Sequence, residues 1–202
     1  MSNLIEFRDV DGNKNILRIG GKSLLPSDRS WPTNPDGKKL TLILSLPTDS
    51  LNSIFRFGYP NDMVVSVFTT YNKEEYFLDD ISYQGDVDEL DRIKDGFTKV
   101  VIHSIGLPRN ESEYIVPAME IVVGEKFDVP DFYCGSLFAG NPTFLQKGSP
   151  IIDNYRFCLQ IYGGDFPTSF EDIFCLSDAV GYLFLSKKYV GNDTGLFFVQ
   201  YT

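Results

Sequence analysis

Few residues in this chain could carry chemistry. The single histidine, His103, sits inside the apolar stretch Thr98-Lys99-Val100-Val101-Ile102-His103-Ser104-Ile105. Any Ser-His-Asp or Cys-His nucleophile would have to run through it. Its strand-like setting reads instead as a structural histidine, and one histidine excludes a multi-histidine metal site. Cys134, Cys158 and Cys175 match no zinc spacing, and their odd number reads as buried, reduced thiols. Asp86, Asp88, Glu89 and Asp91 crowd one segment, but the glycine and closing glutamate of a calcium-binding loop are missing. That cluster reads as a solvated helix face. Glycine motifs that cradle phosphates are lacking too, and Gly20-Gly21 and Gly163-Gly164 read as turns. No catalytic residue, cofactor or metal ligand is therefore assigned.

Amides and aromatics remain. Gln146, Gln160 and Gln200 lie in or beside apolar runs, and a buried glutamine must find hydrogen-bond partners. Tying neighbouring strands is the leading reading, and lining one polar pocket is the other. Trp31 stands in a loop punctuated by Pro26, Pro32 and Pro35. It reads as a cover over a core edge or as an exposed binding anchor. With 28 acidic residues, a two-carboxylate glycosidase pair needs no sequence proximity. A small-ligand or carbohydrate-binding protein, or a carboxylate-based hydrolase, is thus the alternative to a binding protein.

The elements that would position these residues are mostly strands. Residues 4–7 and 16–19 flank the turn dipeptide Asp11-Gly12 and predict a hairpin. Strands are expected over 40–46, 63–70, 74–78, 98–105, 115–123, 156–162, 181–186 and 196–201, the last two joined by Gly191-Asn192-Asp193. A turn at 49–52 leads into 54–57. A helix is expected over 86–94, carried by Val87, Leu90 and Ile93 and stopped by Gly96. A short element opens at 140–146, and another helix falls near 169–174. The expected class is α+β, mainly antiparallel sheet with few short helices, in a single domain over 1–202.

Composition agrees with a packed core: 43% hydrophobic and 23% charged residues, with 17 Phe and 11 Tyr against one Trp. The net charge of −10 disfavours nucleic acid and anionic membranes and suits a basic protein partner. The N-terminal residues do not resemble a signal peptide, and no apolar run spans a bilayer, so a cytoplasmic setting is expected.

Several segments in order resemble the YwqG-like family, a bacterial domain of unknown function. They are Gly20-Gly21-Lys22-Ser23-Leu24-Leu25-Pro26 with Trp31-Pro32 and the following strand, Gly140-Asn141-Pro142 through Gln146, and Leu159-Gln160-Ile161. Asp178-Ala179-Val180-Gly181 with its aromatic strand and Phe197-Phe198-Val199-Gln200 complete the set. Ser23 departs from the usual proline. The resemblance implies an α+β fold and adds Asp178 to the candidate binding residues Trp31, Gln146, Gln160 and Gln200. It also implies an immunity or accessory role beside a bacterial toxin system for some members, with a toxin domain as the basic partner.

Overall fold

The β-branched and aromatic runs become strands in the computed structural model, which describes all residues except 131, 132, 134, 147–153, 190, 192 and 193. In chain order these are β1 (Ser2–Asp9), β2 (Arg18–Ile19), β3 (Thr41–Pro47), β4 (Met63–Thr69), β5 (Thr98–Ser104), β6 (Met119–Phe127), β7 (Leu137–Phe138), β8 (Tyr155–Tyr162), β9 (Val180–Ser186) and β10 (Gly195–Gln200). They form one sheet in the order β10-β9-β8-β7-β1-β6-β2-β3-β4-β5, antiparallel at every pairing. Its two edge strands meet where Thr98 Oγ1 donates to the Phe197 carbonyl at 2.7 Å. The sheet is a nearly closed barrel.

This architecture corrects the expected α+β class. The helices are α1 (Thr48–Phe55), α2 (Leu78–Ile81) and α3 (Val87–Arg92), of 8, 4 and 6 residues. Elements so short cannot form the separate packed layer that defines α+β. They cap and flank the barrel, and the fold is a β-fold.

The expected hairpin over 4–19 is also corrected. β1 runs beside β6, from Ser2 opposite Phe127 to Asp9 opposite Met119. β2 sits between β6 and β3, so β6 separates the two strands that local turn chemistry would have joined. Residues 48–55 are helix rather than a turn, and 74–78 lead into α2 rather than forming a strand. Of the expected 86–94 helix, α3 supplies the first part, and a wider turn over Ile93–Phe97 follows, broken at Gly96, whose φ is 113°. Leu90 and Ile93 are buried, but Val87 faces solvent. Part of the expected β9–β10 hairpin signal, Asn192 and Asp193, lies outside the described residues, as does Cys134.

Both faces of much of the sheet are covered, which explains why runs such as Leu40–Leu46 and Val180–Ser186 are apolar almost throughout. Ile43, Val65, Ile102, Ile121, Leu183 and Phe197 belong to the interior core. Outside β3–β5, the 20–40 loop lays Leu25, Trp31 and Leu40 over Leu42 and Phe68. Outside β8–β10, a second layer gathers on Tyr182, Phe184 and Phe198.

Two arginines fasten the 20–40 loop. Arg18 is fully buried. Its Nε donates to Lys14 O at 3.1 Å and its Nη2 to Lys22 O at 2.5 Å, while Nη1 donates to Gly20 O. Arg109 donates to the carbonyls of Leu25, Pro26 and Arg29 at 2.8, 2.9 and 2.6 Å, and its guanidinium lies 5.5 Å from the Trp31 ring centre. The glycine pair answers the same need. Gly20 and Gly21 have φ of 57° and 74°, and a Cβ on Gly21 would stand 2.7 Å from Arg18 Nη1.

Candidate functional site

Helix α2 is held by its apolar side. Leu78 and Ile81 are buried, Ser82 Oγ donates to Leu78 O at 2.7 Å, and the Tyr83 amide donates to Val199 O at 3.1 Å at the rim of β10. The other side therefore carries Asp79 and Asp80, and Tyr76 stands exposed just before the helix. α3 stands beside it, started by a capping box in which Asp86 accepts from the Asp88 amide at 2.8 Å and Glu89 reaches back to the Asp86 amide.

Two concavities share this helix as a wall. One, about 60 Å³, is lined by Asp36, Lys38, Tyr71, Glu75, Tyr76 and Asp80 among others. The second, about 230 Å³, is lined by Asp79, Ser82, Asp88, Glu89, Arg92 and Tyr201. Tyr76 is 65% exposed, and its hydroxyl donates to Asp79 Oδ1 at 3.1 Å. Lys38 Nζ meets Glu75 Oε2 at 2.5 Å, and Arg92 Nη1 meets Asp80 Oδ1 at 3.2 Å. Carboxylates still outnumber cations. Burial, then repulsion from Asp36 and Asp79, raises the Asp80 carboxyl above its usual range despite Arg92. An aromatic residue thus projects from a surface whose negative field is incompletely neutralised.

The histidine stands elsewhere. His103 Nε2 lies 2.8 Å from Ser66 Oγ and Nδ1 lies 2.8 Å from Ser104 O. The carbonyl fixes Nδ1 as the protonated nitrogen, so Ser66 donates to Nε2. Ser66 and His103 are both fully buried. The pair therefore orders the β4–β5 face and offers solvent no nucleophile. Burial is the main cause that lowers the His103 pKa; Arg29 and Arg109 lower it further, while the Ser104 carbonyl raises it. The unfolded chain then binds the proton more readily, so this contribution to stability is full above the unfolded value of about 6.5 and is lost as pH falls below it. Urea unfolding should show lower stability at pH 5.5 than at pH 7.5, with the difference reduced in His103→Gln. An unchanged difference in that variant would assign the pH dependence to other groups.

The five candidate binding residues divide. Trp31 is 5% exposed, donates from Nε1 to Leu40 O at 2.9 Å and packs edge-on against Phe68 at 5.3 Å. It is a core cover, not an exposed anchor. Asp178 is exposed in the turn before β9, away from the others' contacts. The three glutamines converge. Gln160 Oε1 accepts from the Thr143 amide at 2.9 Å, and its Nε2 donates to Gly135 O at 2.8 Å. Gln200 Oε1 accepts from the Leu145 and Gln146 amides at 3.0 and 3.3 Å, and its Nε2 donates to Tyr83 O at 3.1 Å. Gln146 Nε2 donates to Tyr201 O.

Sequence reasoning missed Tyr76, Asp79 and Asp80, because residues 74–78 read as a strand. The signal available was the polar run Asn72-Lys73-Glu74-Glu75, too charged for a strand interior. Among the described residues, no group of three His, Cys, Asp or Glu side chains is placed to hold a metal ion, and no helix is long and apolar enough to cross a membrane.

A family model described as "Domain of unknown function (DUF1963)" matches residues 18–118, half of the chain. The match begins at the buried Arg18 and includes the arginine-held loop, α2 and α3, and the Ser66–His103 pair. None of the curated proteins compared with the chain matches it.

Proposed function

The chain belongs to the DUF1963 family, a domain of unknown function, and on that footing we propose that it is a non-enzymatic protein-binding module whose α2 face receives a basic partner. The observation that carries this reading is Tyr76, 65% exposed among Asp36, Glu75, Asp79 and Asp80. An exposed aromatic ring supplies contact area at low entropic cost, and surrounding carboxylates steer and select a cationic surface. The net charge of −10 adds long-range attraction of the same sign.

The finer reading identifies the chain with the YwqG-like family, since the resembling segments run from Gly20 to Gln200, well past residue 118. An immunity or accessory role beside a toxin system, with a basic toxin domain as the partner, is the specific form this takes. A cytoplasmic setting belongs to the same reading. Small-ligand or hydrolase chemistry is less well supported on this face. The two concavities here, about 60 and 230 Å³, both fall below the roughly 300 Å³ of ordinary ligand sites. Glu75 and Asp80 also each face a cation.

The test is capture of the partner with tagged protein at low salt, followed by affinity measurement with purified components. Tyr76→Ala and Asp79→Lys should each weaken binding about tenfold or more, with the steepest loss at low salt. Glu125→Lys, an exposed charge reversal on β6, should change it little. Equal affinity for all three variants would move the interface off α2.

A further inference from the structure

On the outer face of β8–β10, three fully buried side chains point their polar ends at a backbone rather than at one another. Gln160 of β8 is in register with Tyr182 of β9, which is in register with Phe198 of β10, two residues before Gln200. The Nε2 groups of Gln160 and Gln200 hold Gly135 O and Tyr83 O; the two Oε1 atoms and the Tyr182 hydroxyl meet the backbone of Thr143–Gln146. Gln160 takes the Thr143 amide, the Tyr182 hydroxyl donates to Thr143 O at 2.8 Å, and Gln200 takes the Leu145 and Gln146 amides. Between these anchors the Phe144 ring lies 5.3 Å from Tyr182 and 6.2 Å from Phe184. When a protein binds an extended peptide, main-chain hydrogen bonds supply affinity and a pocket for a side chain supplies specificity; this arrangement has both parts.

Two further features distinguish this strap from an ordinary packed loop. Its approach is strained: Ala139 and Gly140 are consecutive residues with φ of 60° and 77°, and the left-handed region is unfavourable for alanine. Its other side is open, where Asn141, Pro142, Thr143 and Phe144 line a cavity of about 350 Å³ with Met1 and Asp128.

We propose that the outer face of β8–β10 is a binding groove for an extended peptide bearing an aromatic residue, and that Thr143–Gln146 fills it in cis. The strap then acts as an autoinhibitory contact: lifting it frees Gln160, Tyr182 and Gln200 for a segment supplied in trans. This groove does not rest on the reading of the α2 face, although its far end adjoins that face: Gln146 bonds Tyr201 O, and Tyr201 lines the α2–α3 concavity.

Hydrogen exchange on the full chain tests the strap directly. The Thr143, Leu145 and Gln146 amides should exchange at least 100-fold faster than the Tyr182 amide of β9, through local opening. Exchange at the β9 rate would mean the strap opens only with the whole fold and would overturn the proposal. Titration with the capped heptapeptide of residues 140–146 tests the groove. Phe144→Ala should bind it at least tenfold more tightly than the parent chain, and adding Gln200→Leu should abolish that binding. A Phe144→Ala protein with native Trp31 emission and no peptide binding would equally overturn it. If that variant does not fold, the exchange measurement still decides.

Discussion

Arg18→Ala should lower the free energy of unfolding by about 3–5 kcal/mol, from buried carbonyls left without donors at about 1–3 kcal/mol each and from the cavity that truncation opens. The guanidinium is fully buried, and burial draws its pKa down to about 10, with Asp11 opposing. It is still the cation at neutral pH. Its hydrogen bonds go to the carbonyls of Lys14, Gly20 and Lys22, and truncation removes three charge-assisted bonds as well as leaving a cavity. Arg18→Met would fill much of the cavity without donating, so the gap between the two variants separates packing from hydrogen bonding. Gly21→Ala should be comparably damaging from the other side, because its Cβ would meet Arg18 Nη1 and the Gly12 carbonyl oxygen at 2.7 and 2.8 Å, at a φ of 74°. Urea unfolding followed by Trp31 fluorescence reads all three, since Trp31 lies on the loop that Arg18 starts. A loss below about 1 kcal/mol for Arg18→Ala would show that solvent takes over the three carbonyls and that the loop does not depend on this side chain.

The same knot shows what a single sequence discloses. Gly20-Gly21 and Trp31-Pro32 are visible as punctuation, and the turn residues carry their own backbone logic. Nothing local says that the arginine just before them is buried, because arginine in a strand ordinarily reads as an exposed or edge residue. Its burial is set by β2 lying between β6 and β3, a pairing across about a hundred residues of sequence. The failed hairpin has the same cause: Asp11-Gly12 makes its turn, with the Asn13 amide bonded to Asp11 Oδ1 at 3.0 Å, but β6 offers β1 a longer partner. Strands with continuous β-branched content, such as Met63–Thr69, were legible because both of their faces are buried. Helices of 4 to 8 residues carry too few turns for a periodic signal, which is why α1 and α2 were missed while α3, with its capping box, was partly seen. The glutamines were legible as polar residues needing partners; that Thr143 and Tyr182 would join them was not, since neither residue type signals burial of a backbone bond.

Gln160→Leu should cost about 2–4 kcal/mol and Gln200→Leu about 2 kcal/mol, as buried amide and carbonyl groups are left unpaired. Gln160 carries the larger load: besides Gly135 O, its Nε2 lies 2.9 Å from Thr143 Oγ1 and 3.2 Å from Tyr133 O, which share its second hydrogen, so its loss loosens the approach to β7 as well as the strap. Gln200 holds the strap's far end and Tyr83 O. Their combination is the informative measurement. If the two side chains are separate ties, the double variant should lose the sum of the single losses to within about 0.5 kcal/mol. If Thr143–Gln146 seats as one unit, losing either anchor already releases much of what the other holds, and the double variant should fall short of the sum by more than about 1 kcal/mol. Trp31, in the separate cluster outside β3–β5, keeps its own hydrogen bond to Leu40 O, and its emission should stay native in both singles. Sub-additive loss with native Trp31 emission is what a strap that lifts as a body requires, and strict additivity would leave the two glutamines as independent structural ties.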